Sequence, residues 1–219
     1  MHLMGIVARQ SILTTIISYT GVVVGYINLI FLYPKFLELE QVGLLRAIQD
    51  SAMLIVPLVT FGLPQTITRF FPRFNSNKET LTSFLGLLIL SITTGYILIG
   101  LVFATSENFI GPLFSEKAPQ LLDRSGLIML LVFLMAYLTL FEQLARAKMQ
   151  IALPAFLREV ALRVLQTFVL LAYAWGWIDF DLFLLLSVLL YGATLIYLLV
   201  SLGVFREKLW SFQVLRFFR

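Results

Sequence analysis

The chain has 219 residues, 60% of them hydrophobic and 13% charged, with a formal charge of +4. A soluble domain of this size cannot hide that much apolar surface, so lipid must solvate it. With no cysteine and one histidine, His2, the chain lacks the groups for disulfides, thiolate or Ser–His catalysis and Cys- or His-based metal sites.

Six apolar blocks are expected as helices, at about 10–33, 47–68, 80–104, 125–145, 155–177 and 180–205, each long enough to cross ~30 Å of hydrocarbon. The first is too long for a signal peptide's apolar core, and no cleavable leader is expected. It contains Gly21 and Gly25, a G-x-x-x-G pair that lets another helix approach closely, and Asn28 near its outer end. Tyr33-Pro34 is expected to end it. The second opens with Arg46, Gln49 and Asp50 on one helical face and is interrupted by Pro57 and Pro64. It runs out through Arg69 and Arg73. The third block is plain apolar helix with Gly86, Gly95 and Gly100 as packing points. A long loop follows, whose Asn108–Phe114 stretch is expected at the membrane interface.

The fourth block becomes polar at Glu142-Gln143 and Arg146, and Pro154 breaks the chain after it. The fifth carries Arg158, then Glu159, Arg163 and Gln166 on one stripe. Trp175 and Trp177 close it at headgroup level. The sixth is nearly featureless up to Arg206. Short connections make blocks one and two, four and five, and five and six expected antiparallel neighbours, with blocks one and two packed through Gly21 and Gly25.

Twelve of the sixteen Lys and Arg residues fall on one side of these blocks. They are Arg9; Arg69, Arg73 and Lys78; four from Arg146 to Arg163; and four in the tail after block six. Basic residues stay cytoplasmic on insertion, so both termini are expected inside, with an even number of crossings. The positive charge belongs to the lipid rim rather than to nucleic acid. The expected fold class is an all-α membrane protein: a six-helix transmembrane lobe over 1–205, then a basic cytoplasmic tail or linker over 206–219.

Two stretches carry a family resemblance. Val42-Gly43 through Phe61-Gly-Leu-Pro-Gln-Thr-Ile-Thr-Arg69-Phe-Phe71 resembles the first two helices of polysaccharide flippases. In these an E-x-F/V-G loop leads into a helix ending G-L-x5-R-F/Y. Gln143-Leu-Ala-Arg146 through Pro154 and Arg163 resembles their fourth-to-fifth helix connection. The resemblance spans about residues 5–205. It implies the N-terminal lobe of a flippase of the multidrug/oligosaccharidyl-lipid/polysaccharide exporter superfamily, a MATE-like fold in the bacterial inner membrane. Such proteins pass polyprenyl-diphosphate-linked oligosaccharide across the bilayer by alternating access. The implied partners are that lipid-linked substrate, membrane lipids and a second six-helix lobe. No enzyme activity, cofactor or metal is implied. The chain departs from the family in having six apolar blocks rather than twelve or more, and Tyr33-Pro34-Lys35-Phe36-Leu37 where the family has a Gly-Pro turn.

Each candidate residue has two readings. Glu159, Arg163 and Gln166 form either a cationic cavity wall for a lipid diphosphate or a rim of arginines reaching headgroups. Arg46 and Asp50 are either a cavity-facing gate or an ion pair pinning block two to block one. Pro57 and Pro64 are hinges or fixed kinks, and Arg69 is an inner-gate residue or a topology determinant. Two other functions are an ion-coupled drug or small-cation exporter, which would turn on Asp50, and a non-transporting scaffold.

Overall fold

The computed structural model describes residues 2–74, 78–105 and 123–204. The expected interfacial stretch at 108–114 and the basic tail at 206–219 lie outside them. Among the described residues the chain is all helix, with no strand. The helices are α1 (His2–Tyr26), α2 (Tyr33–Phe36), α3 (Leu39–Thr60), α4 (Pro64–Phe74), α5 (Lys78–Thr105), α6 (Ser125–Ala147), α7 (Ala152–Phe156), α8 (Leu162–Ala174) and α9 (Phe180–Ser201). Two π-helical stretches, Ile27–Leu32 and Leu157–Ala161, join α1 to α2 and α7 to α8 without a break.

Among the described residues, five helices are long and apolar enough to cross a membrane: Arg9–Phe36, Leu39–Thr60, Thr80–Thr105, Ser125–Ala147 and Phe180–Ser201. The chain is therefore an all-α, multi-pass membrane protein. The run from Ala152 through Ala174, which covers the fifth expected block, carries three charges, Arg158, Glu159 and Arg163, in its first half and is not among these five.

Local chemistry sets the ends. Glu38 and Gln41 form a reciprocal capping box that starts α3, so this helix begins at Leu39 rather than near residue 47. Asp179 caps α9 by accepting from the Leu182 N–H at 2.9 Å. Tyr33-Pro34 does not end the first block. Pro34 sits in the first turn of α2, where a missing N–H is harmless, and the helix continues to Phe36.

The second block is not one bent helix. It breaks at Phe61 and Gly62, both with positive φ (48° and 69°). Pro57 lies inside α3, whereas Pro64 opens α4. Pro64, Ile67 and Phe71 are buried on one face of α4, while Gln65, Thr68 and Arg69 are exposed.

α6 is the hub. It packs most extensively on α3 and α9, then on α4 and α5. Leu131, Val132, Leu140 and Leu144 of α6 are fully enclosed, with Ile48, Ala52 and Val59 of α3 and Phe183, Leu184 and Leu198 of α9 in the same core. α6 and α9 run parallel: Arg124 meets Asp181 at their starts, and Leu134 meets Gly192 lower down. α5 lies antiparallel to α6, with Thr93 bonded to Tyr137 at 2.7 Å and Tyr96 against Phe133.

These pairs fix the height of the break. Gly95 of α5 sits between Thr93 and Tyr96, hence beside the middle of α6. It takes the Val59 carbonyl so closely that a Cβ there would stand 2.3 Å from the oxygen. Below it, Thr68 of α4 reaches Gln143 at 3.4 Å. α3 and α4 thus form an upper and a lower segment, interrupted level with the centre of α6.

The expected packing of blocks one and two is corrected. α1 lies at the edge of the bundle and packs on α7, the Leu157–Ala161 stretch and α8. Across the short connection, α2 meets α3.

Candidate functional site

The site grows from one face of α1. Gln10, Gly21, Gly25 and Asn28 follow a helical stripe, and each meets the fifth block. The Gln10 Oε1 accepts from the Ala152 N–H at 3.0 Å. A Cβ at Gly21 would stand 2.6 Å from the Glu159 carbonyl oxygen, and one at Gly25 2.3 Å from Arg163 Nη1. The absence of side chains at these two positions lets the backbone of one helix receive the arginine of the other. The Gly21–Gly25 pair thus serves the contact between blocks one and five, and not the expected contact with block two.

Arg163 fills the space the glycines leave. Its Nη1 donates to the Gly21 carbonyl, and its Nη2 pairs with Glu159 at 3.1 Å. One turn further along, in the Ile27–Leu32 stretch, Asn28 is buried. It donates to the Arg163 carbonyl at 3.1 Å and accepts from the Thr167 hydroxyl at 2.8 Å. The two π-helical stretches supply Asn28 and Glu159 to this knot. An extra residue per turn shifts the backbone register, and such bulges concentrate where helices are adapted to function. Every buried polar side-chain atom among the described residues has a partner.

The stripe predicted on the fifth block is therefore present, but its members face different neighbours. Glu159 and Arg163 are each about one-third exposed and bind α1. Gln166 is half-buried beside the Tyr191 hydroxyl of α9. Arg158 turns to α6, where the buried Glu142 receives it at 3.4 Å and Arg146 at 3.9 Å. Arg158 is thus tied to a buried carboxylate rather than left wholly to the rim. Beside the knot, Ser11, Thr14, Thr15 and Ser18 of α1 line an open groove of about 430 Å³ with Tyr19, Val22 and Ile151.

Of the remaining candidates, Arg46 comes near the cluster, since Tyr33 of α2 feels both its charge and that of Arg163. Arg46 and Asp50 are exposed on α3, and no ion pair joins them. The reading of them as a pair pinning block two to block one is not met. Arg69 is exposed on α4, its guanidinium 5.7 Å from the Phe70 ring. Pro57 is exposed and Pro64 buried. Neither proline is the point of interruption, which lies at Phe61–Gly62 between them. Among the described residues no group of His, Cys, Asp and Glu side chains is placed to hold a metal ion.

Sequence reasoning singled out Arg163 but missed Asn28 and Thr167 as its partners. The signal was available: Asn28 lies three residues beyond Gly25 on the same stripe. The chain matches no protein-family model, no curated protein and no solved structure.

Proposed function

We propose that this chain is a transporter lobe that moves a polyprenyl-diphosphate-linked oligosaccharide across the bilayer. In this reading six segments cross the membrane: α1 with α2, the interrupted α3–α4, α5, α6, α7 with α8, and α9. Both termini are cytoplasmic, in the bacterial inner membrane, and the lobe works against a second lobe in the MATE-like manner that the family resemblance implies.

The observation that carries the reading is the interruption at Phe61–Gly62, level with the centre of α6. Irregular backbone at membrane depth is tolerated where it is buried in protein or lines a wet cavity. Transporters place such broken helices at midplane binding sites. Phe61 and Gly62 are exposed on the lobe, which supports a cavity on this side. Arg163, its side chain one-third exposed at the α1–α8 contact, carries the paired donors that a diphosphate uses, here held by the Gly21 carbonyl and Glu159.

An ion-coupled drug exporter would need an enclosed carboxylate in a wet site. Asp50, its candidate, is exposed on α3 and does not favour that reading.

The test is reconstitution. Purified protein in liposomes should accelerate transbilayer movement of a fluorescent polyprenyl-diphosphate oligosaccharide, measured by accessibility to an impermeant quencher. Arg163→Ala should slow it more than Arg158→Ala. Movement no faster than in protein-free vesicles would overturn the proposal and leave the scaffold reading.

A further inference from the structure

Arg146 and Arg158 reach the same atom. Glu142 of α6 is buried, and its Oε2 lies 3.4 Å from Arg158 Nη1 and 3.9 Å from Arg146 Nη2. The two guanidiniums therefore stand together over one carboxylate oxygen. Arg158 is 43% exposed and Arg146 46%. Each guanidinium carries five N–H donors and no acceptor. Among the described residues the two make one hydrogen bond between them, from Arg158 to Glu142. The rest of this fork is accessible, with its donors unspent.

Glu142 can neutralise only one of the pair. Close by, Glu159 is taken by Arg163 at 3.1 Å, and Lys148 donates to the Leu202 carbonyl at 3.4 Å. Tyr191 of α9 also stands near Arg158 and adds no charge. Arg146, Lys148, Arg158 and Arg163 thus share two carboxylates, and this end of the lobe keeps an excess of positive charge.

The depth of the fork says what meets it. α6 is apolar enough to cross a membrane over Ser125–Ala147, and Arg146 lies in its last turn. Arg158 is held at the same level by its tie to Glu142. The fork therefore sits where the apolar span ends and lipid phosphates begin. The carboxylate beneath it fixes both guanidiniums, unlike a lone arginine that reaches out from a helix to the headgroups. Arginine matches phosphate oxygens with paired donors, and basic pockets between membrane helices hold anionic headgroups. A zwitterionic headgroup brings its own ammonium, so the excess positive charge selects an anionic one.

We propose that the Arg146–Arg158 fork binds the phosphodiester of an anionic phospholipid, which bridges the end of α6 to the Leu157–Ala161 stretch. This is a resident lipid rather than a transported one. The inference rests on α6 crossing a membrane, and not on the proposed substrate.

Purified protein in detergent is offered equal amounts of phosphatidylglycerol and phosphatidylcholine, and the retained lipid is measured by native mass spectrometry. Wild type should hold phosphatidylglycerol in preference. Arg146→Gln removes half of the fork but leaves Glu142 its closer partner, and should weaken that retention about tenfold, the loss of a charge-assisted contact. Glu142→Gln removes the competing carboxylate and should tighten retention. Arg9→Gln takes one exposed charge from α1 and should change nothing.

A wild type that prefers neither lipid would overturn the inference. So would retention that Arg146→Gln and Glu142→Gln both leave unchanged. A loss in Arg9→Gln as large as in Arg146→Gln would reduce the fork to the general attraction of a basic rim, and overturn it too. If Arg146→Gln does not fold, Glu142→Gln decides alone: tighter retention supports the fork, and unchanged or weaker retention overturns it. A polyprenyl diphosphate that displaces phosphatidylglycerol when offered in equal amount would overturn the resident lipid. Failure of oligosaccharide movement, with lipid retention that follows both variants, would sink the functional proposal and leave this one standing.

Discussion

Gly21 lies so close to Glu159 that a Cβ would stand 2.6 Å from its carbonyl oxygen, whereas a Cβ at Gly25 meets the Nη1 end of the Arg163 side chain. The two glycines of one stripe thus oppose different kinds of neighbour. A backbone carbonyl on a continuous helix cannot step aside, but a guanidinium can swing. Gly21→Ala should therefore destabilise the protein more than Gly25→Ala, by about 1–3 kcal/mol for the former as an overpacking change. Thermal unfolding of the two variants in detergent checks the order. Equal stability would mean that α1 and α8 slide apart freely.

Gly95 and Gly100 make a matched pair on α5. The first faces the Val59 carbonyl at 2.3 Å from an added Cβ, the second only the Met129 methyl at 3.6 Å. Gly95→Ala should push the end of α3 off α5 and cost about 1–3 kcal/mol. Gly100→Ala should be neutral, or slightly favourable through helix propensity. Denaturant unfolding of both variants in the same micelle makes the comparison.

Asn28 bonds the Arg163 carbonyl and the Thr167 hydroxyl at once. Asn28→Leu removes both bonds, and Thr167→Val removes the one to Asn28 together with the hydroxyl's alternative bond to the Arg163 carbonyl at 2.9 Å. Polar contacts between helices in membranes are worth about 0.6 kcal/mol on average and up to about 1.7. Asn28→Leu should fall near the upper figure, and Thr167→Val near the lower. A double-mutant cycle should return a coupling above zero but below the full Thr167→Val cost, since Thr167 shares one bond with Asn28 and has another to the Arg163 carbonyl. A coupling of zero would show that the two side chains act independently.

Glu142 is 3% exposed and is held by Arg158 at 3.4 Å and, more weakly, by Arg146 at 3.9 Å. Arg158→Ala strands a buried carboxylate and should cost about 3 kcal/mol. Glu142→Leu combined with Arg158→Leu removes both charges and should cost much less. If the double variant is the less stable, the pair contributes net stability rather than merely cancelling its own desolvation.

The expected topology has a direct check. Glu40, just inside α3, and Gln150, between α6 and α7, are both exposed. Glu40→Cys and Gln150→Cys should be labelled by an impermeant thiol reagent from opposite faces, the first in intact cells and the second in inverted vesicles. Labelling of both from one face would end the six-crossing arrangement with cytoplasmic termini.

Hydropathy and local chemistry in the sequence determined the all-helical membrane class, because lipid admits long apolar segments only as helices that satisfy their own backbone. The Glu38–Gln41 cap was equally local, although its effect, an early start to α3, was overlooked in favour of the apolar run. Tertiary structure alone decided which helices meet. Gly21 and Gly25 announce that something approaches closely, but any helix with a matching surface can do so, and chain proximity to block two misdirects the choice. The break at Phe61–Gly62 was hidden by the prolines on either side. Proline marks where a helix can bend, but two successive left-handed residues depend on the packing of Val59 on Gly95. The exposure of Arg46 and Asp50 on α3 follows from the same limit: spacing along one helix fixes which side chains share a face, and only the packing of the other helices fixes what that face meets.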